Sequence, residues 1–322
     1  ETPPEFGERQ RERSRCRRGA AQRQKNGERI AAARGPRLEG YDSDPAIRSA
    51  DSILGRGQEI RPRFGARKCR KDKREERVRA FLASEDLVGG EYEKARQTFL
   101  DVEKSLPKGA APFAVRYGLA FSYLYQGQVD PALSALQAYL AEYRDSGAAQ
   151  GFPEVFIWNS IARINLESGR LEAAMKAYER GYESVPGSSL PDDQKQVWLG
   201  RLQHGRCRVL AKMGKHEEAW TEARKVKRMI DGGGEAAKQY LPAWHYLAGY
   251  LKLEASDPAS AIAELKQIER RDPFQELLLA RAYEKAGDRA EARKVYRAVV
   301  DSRQNSIERA LAYPEAMRKL AS

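Results

Sequence analysis

The sequence has no run of eighteen or more apolar residues, so nothing in it reads as a membrane-spanning helix. It has no cysteine pair at C-x-x-C spacing either. Cys16, Cys69 and Cys207 are far apart and odd in number, which argues against a disulfide framework and a thiolate zinc site and points to a reducing compartment. Catalytic signatures are missing as well. Gly214-Lys215 is followed by His216 and lacks the Ser or Thr of a phosphate-binding loop, and His216-Glu217-Glu218 runs into Ala219-Trp220 where a second zinc-binding histidine is needed. There is no glycine-rich dinucleotide fingerprint. No apolar stretch has signal-peptide length, but the chain opens on Glu1 and not Met, so that absence weighs little. The cytoplasm is the expected compartment, with export open if the true start is missing.

Positive charge is plentiful and unevenly placed. Residues 1–80 hold 23 Lys and Arg against 13 Asp and Glu; the remaining 35 and 33 nearly cancel, so the net +12 belongs to the N-terminal segment. That segment is rich in Arg, Gly and Pro and shows no apolar period, so burial cannot offset the entropy lost on ordering. Residues 1–75 are therefore expected to be disordered, with a non-native start as the alternative. Basic clusters at 11–18 and 61–79 suit phosphate contacts, yet Phe6, Tyr41 and Phe64 are the only aromatics before Phe81. Nucleic-acid binding is ranked below a solvated tail.

From about residue 74 the chain changes to amphipathic segments with helical spacing, separated by short turns. In the second helix of each segment an alanine is followed four residues later by a partner, large in five of six cases: Ala95 with Phe99, Ala132 with Leu136, Ala174 with Tyr178, Ala219 with Ala223, Ala261 with Leu265, and Ala292 with Tyr296. Five of these alanines follow a glycine by five residues, namely Gly90, Gly127, Gly169, Gly214 and Gly287. The sixth turn, Ala255-Ser256-Asp257-Pro258, reads as one residue longer. Glycine turns the chain, alanine lets paired helices approach, and the large side chain fills the space between successive pairs.

The first helices carry Trp158, Ile161 and Ala162, followed by Ala174, Tyr178 and Pro186. Trp244, Leu247, Ala248, Ala261, Leu265 and Pro273 repeat that set; Leu119, Ala120 and Tyr123, and Leu279, Ala280 and Tyr283, repeat its middle. This pattern resembles the tetratricopeptide repeat family, in the style of its bacterial members. Around Cys207 the match is degenerate, since Gln203 and Arg206 stand at the Trp and Leu positions. Successive alanines lie 37, 42, 45, 42 and 31 residues apart, against about 34 in the family. The resemblance implies an all-α, right-handed α-solenoid of about six helical hairpins over 76–304. Residues 305–322 are expected to form capping helices, one capped by Asn305 and another opened by Pro314. Pro191 and Pro242 are placed to open first helices.

The resemblance also implies a non-catalytic scaffold for protein–protein interaction, with first helices lining a concave face. The candidate ligand contacts there are Tyr117, Phe121, Asn159, Arg163, Arg201, His204, Arg208, Lys212, His245, Tyr246 and Arg281. Basic and aromatic together, they suit an acidic or carboxylate-terminated peptide. The plainer reading of the same residues is a solvated helix face. A terminal-carboxylate clamp of Lys and Asn is not supported, because Ala80 and Ser84 occupy its places in the first helix. His204 and His245 lack a third ligand and read as groove-lining side chains, so neither metal nor cofactor is expected. The alternative function is a nucleic-acid-associated adaptor working through the basic tail.

Overall fold

A computed structural model describes residues 66–106, 111–145 and 152–322. Most of the segment expected to be disordered, 1–65, lies outside the described residues. The helices are α1 (Ala66–Val88), α2 (Tyr92–Ser105), α3 (Phe113–Leu124), α4 (Val129–Asp145), α5 (Phe152–Glu167), α6 (Leu171–Ser184), α7 (Asp192–Lys212), α8 (His216–Gly232), the single turn α9 (Gly234–Ala237), α10 (Leu241–Glu254), α11 (Pro258–Leu265), α12 (Pro273–Lys285), α13 (Arg289–Asp301) and α14 (Ile307–Ala321). No strand occurs among the described residues. The chain is already helical at 66–75, ten residues before the expected boundary, where Ala, Lys and Arg are good helix formers.

Consecutive helices pair as six hairpins, α1–α2, α3–α4, α5–α6, α7–α8, α10–α11 and α12–α13, and each hairpin packs on the next. At each turn one residue takes a left-handed conformation; Gly169, with φ of 80°, is typical. It lets Arg170 N–H reach back to the Asn165 carbonyl at 2.9 Å, satisfying an end-of-helix acceptor. Ser256, with φ of 62°, fills this slot in the fifth hairpin, so that turn has the same length as the others, not one residue more. The register of α10 shifts accordingly. The small residue facing the partner helix is Gly249, not Ala248: a Cβ there would lie 2.7 Å from Leu265 Cγ.

The alanines of the second helices are all buried, as are their partners. The fit between hairpins also depends on two glycines of the first helices. A Cβ on Gly118 would sit 2.2 Å from the Phe99 ring, and one on Gly205 would sit 2.2 Å from the Tyr178 ring. In the same register Leu247 shares an apolar cluster with the small Ala223. Volume lost on one side of each joint is restored on the other. Cys207 occupies a small-residue slot, fully buried, and burial pushes its thiol up to about 12.

Pro191 precedes α7 as its N-cap and Pro242 lies in the first turn of α10, both as expected. The tail differs. It forms one helix, α14, with Pro314 in its interior, and its cap is Ser306, whose hydroxyl accepts from Arg309 N–H at 3.3 Å. Asn305 instead buries an Oδ1 without a hydrogen-bond partner. The helix runs through the proline because Ile307, Ala310, Ala312 and Ala316, on both sides of it, are buried. That burial offsets the missing backbone bond. Helix α14 packs on α12 and α13, and it also touches α3 and α5, so the end of the solenoid returns to its second and third hairpins.

Candidate functional site

Counting back from the left-handed turn residue, positions two, six and ten upstream share one face of each first helix, because four-residue steps return nearly to the same side. The face reads Tyr117, Phe121 and Tyr125 on α3; Asn159, Arg163 and Glu167 on α5; His204, Arg208 and Lys212 on α7; Tyr246, Tyr250 and Glu254 on α10; and Leu277, Arg281 and Lys285 on α12. Stacking the hairpins sets these triplets side by side. Along one row run Arg163, Arg208 and Arg281; along the next, Glu167, Lys212, Glu254 and Lys285 alternate in sign.

A buried polar network results. Arg208, only 4% exposed, donates to the Tyr246 hydroxyl at 2.7 Å and to the Tyr178 hydroxyl at 3.1 Å. The His204 ring lies 4.9 Å from that of Tyr246, and its Nε2 is 3.1 Å from the Ala243 carbonyl. Burial, reinforced by the Arg208 charge, holds His204 well below the usual imidazole value, so the ring is neutral. Its Nε2 then carries the proton that it donates to Ala243. Glu167 has Lys212 at 3.7 Å and Arg281 at 4.0 Å, while neither of its oxygens accepts a hydrogen bond. The remaining charges are met by α14. Arg163 pairs with Glu308, and Arg281 donates to both oxygens of Glu315, at 2.8 and 2.5 Å. Beside this network a cleft of about 460 Å³ is lined by residues including Lys212, Glu254, Arg281, Lys285 and Glu315.

Residues 117–189 and 246–307 match the tetratricopeptide repeat family model. Both stretches carry tetratricopeptide repeats. No curated protein matches it. Among solved structures it is similar to nearly identical TPR-like repeats of a Podosopora anserina putative kinesin light chain, with 19% identity over 71% of this chain and 93% of that one and a TM-score of 0.41. Pseudomonas aeruginosa PilF is 16% identical over 77% of this chain and 99% of its own, with a TM-score of 0.42.

In this chain of helical repeats the eleven expected contacts have different fates. Arg163, His204, Arg208, Lys212, Tyr246 and Arg281 come together in the network just described. Tyr117 and Phe121 share its face but are buried: Tyr117 stacks on Phe113 at 4.2 Å, and Phe121 meets Tyr117 edge-on at 5.7 Å. Asn159 is half-buried on α5. Arg201 lies off the stripe, over the Trp198 ring at 5.1 Å. His245 turns away to Glu264, at 2.8 Å, because the shifted register of α10 gives it the position that Trp158 holds in α5. Sequence reasoning passed over Glu167, Tyr250, Glu308 and Glu315. For the last two, a seven-residue spacing on one helix face was the available signal.

Proposed function

We propose that the chain is a non-catalytic scaffold holding a protein or peptide partner against its inner face, and that the partner is acidic where it docks. Tetratricopeptide repeats generally mediate protein–protein contact, and two stretches of this chain match their family model. The observation that carries the finer reading is the row of Arg163, Arg208 and Arg281, held in register by the third, fourth and sixth hairpins with Lys212 and Lys285 at the rim. Guanidinium groups on a rigid frame favour carboxylates through paired, charge-assisted hydrogen bonds. Two of the three already hold carboxylates of the chain itself.

Capture of partners by the full chain and by a K212E/K285E variant tests this. Both lysines line the cleft, and because Lys212 also faces Glu167, capture is compared only after the variant's thermal midpoint is shown to match wild type. Capture of acidic partners is expected to fall roughly tenfold, which corresponds to about 1.4 kcal/mol. Unchanged capture of every partner would sink the acidic-ligand reading. The nucleic-acid adaptor rests on the charge of residues 1–80 alone; partners that survive nuclease treatment count against it.

A further inference from the structure

We infer that α14 is a tethered ligand of the inner face, and that a partner bearing an acidic helix of the same pattern binds by displacing it. This rests on the reading of that face as the binding surface. The pattern is two carboxylates seven residues apart on one helix face, Glu308 and Glu315, with Leu311 and Ala312 between them. Seven residues advance a helix about 10.5 Å and return it nearly to the same side. Glu308 thereby reaches Arg163 on the third hairpin while Glu315 reaches Arg281 on the sixth.

The mode of attachment suits exchange. Ile307, Ala310, Ala312 and Ala316 are buried and Leu311, Tyr313 and Leu320 pack partly on the core, but each alanine removes little apolar area from water, so ion pairs and aromatic contacts add to the hold of that apolar face. Arg309 sits over the Tyr125 and Tyr313 rings, at 5.2 and 4.9 Å, and donates to the Tyr125 hydroxyl at 3.2 Å. A five-residue non-helical link, 302–306, joins α14 to α13 and gives it a tether. An incoming helix with the same two carboxylates remakes the Arg163 and Arg281 pairs, so the exchange replaces each buried ion pair with its equivalent and leaves no charge bare. Between the two states Arg281 keeps Glu167 within 4.0 Å as a resident counter-charge.

The test is a fluorescein-labelled peptide of residues 305–322 titrated by anisotropy against three full-length proteins: wild type, E308Q/E315Q and E308Q/E315Q/R281Q. The double variant weakens the tethered helix without altering the groove. It is expected to bind the peptide roughly tenfold more tightly than wild type. R281Q should remove that gain, and a peptide carrying both Gln substitutions should not show it. Equal affinity of wild type and double variant, or equal binding of the Glu and Gln peptides, overturns the inference. Hydrogen exchange on the wild type guards against misfolded variants. Excess peptide is expected to speed exchange in 307–321 while α12 and α13 stay protected; unchanged protection of 307–321 overturns the inference as well. Because the probe is the chain's own segment, these failures leave partner capture to be judged separately by the lysine-reversal comparison.

Discussion

At the scale of single residues, the joints between hairpins are set by matched volumes. Gly118 leaves room for Phe99 and Gly205 for Tyr178, and a methyl group at either would fall inside the facing ring. G118A is therefore expected to destabilise the fold by about 1–3 kcal/mol, the usual cost of overpacking, and F99L to recover part of that loss in the double variant. Urea denaturation of the four proteins measures it. A G118A midpoint equal to wild type would mean that the joint is loose. The alanine-plus-large pairs were legible in the sequence because they recur at fixed spacing. The glycines opposite them were not, since their role depends on which ring the neighbouring hairpin presents. The buried arginines were legible as cations on the right face, but not as buried ones, because their partners come from α6, α10 and α14.

At the scale of elements, α14 is where sequence reasoning was least complete. A proline and a capping asparagine suggested two short helices, and local rules of that kind omit the tertiary burial that carries one helix through Pro314. Docking of α14 also places carboxylates in conflict. Burial raises the Glu308 carboxyl, but the Arg163 guanidinium more than reverses this, so Glu308 lies below the usual range. Glu315 is lowered likewise, Arg281 outweighing burial. Asp272, at the head of α12, goes the other way: burial, with the Glu308 charge beside it and only partly offset by Arg163, pushes it up to about 7. The folded chain thus binds a proton at Asp272 that the unfolded chain releases. Stability from that source grows as pH falls from above neutrality. Glu308 and Glu315 contribute stability above the ordinary carboxylate value, and it is lost as pH falls through their lowered folded values. Asp272 thus tends to raise the thermal midpoint between about pH 8 and 5, whereas His204, held neutral in the fold, lowers it below the usual imidazole value, and in stronger acid the midpoint falls. D272N, in which Asn preserves the helix cap, should flatten the rise. A midpoint as pH-dependent in D272N as in wild type would remove Asp272 from the account.

At the scale of the whole solenoid, the repeat architecture was readable from the sequence and its closure was not. Each hairpin announces itself through a turn residue and a small-large pair, whereas contact between α14 and α3 depends on how the rotations of six joints accumulate. On the proposed reading of the inner face as the binding surface, closure means that the face is occupied before a partner arrives. The contacts that express it lie at the first hairpins: Tyr313 meets Tyr92 and Tyr125 at 6.5 and 5.6 Å, and Arg303 reaches Glu85 at 3.8 Å. Spin labels on cysteines replacing Glu85 and Arg303, with Cys16 and Cys69 changed to Ser and the buried Cys207 left in place, measure this closure by pulsed electron–electron resonance. A single short-distance peak is the expected result, and a broad distribution at long distance, as from a solenoid whose ends stand apart, would contradict it.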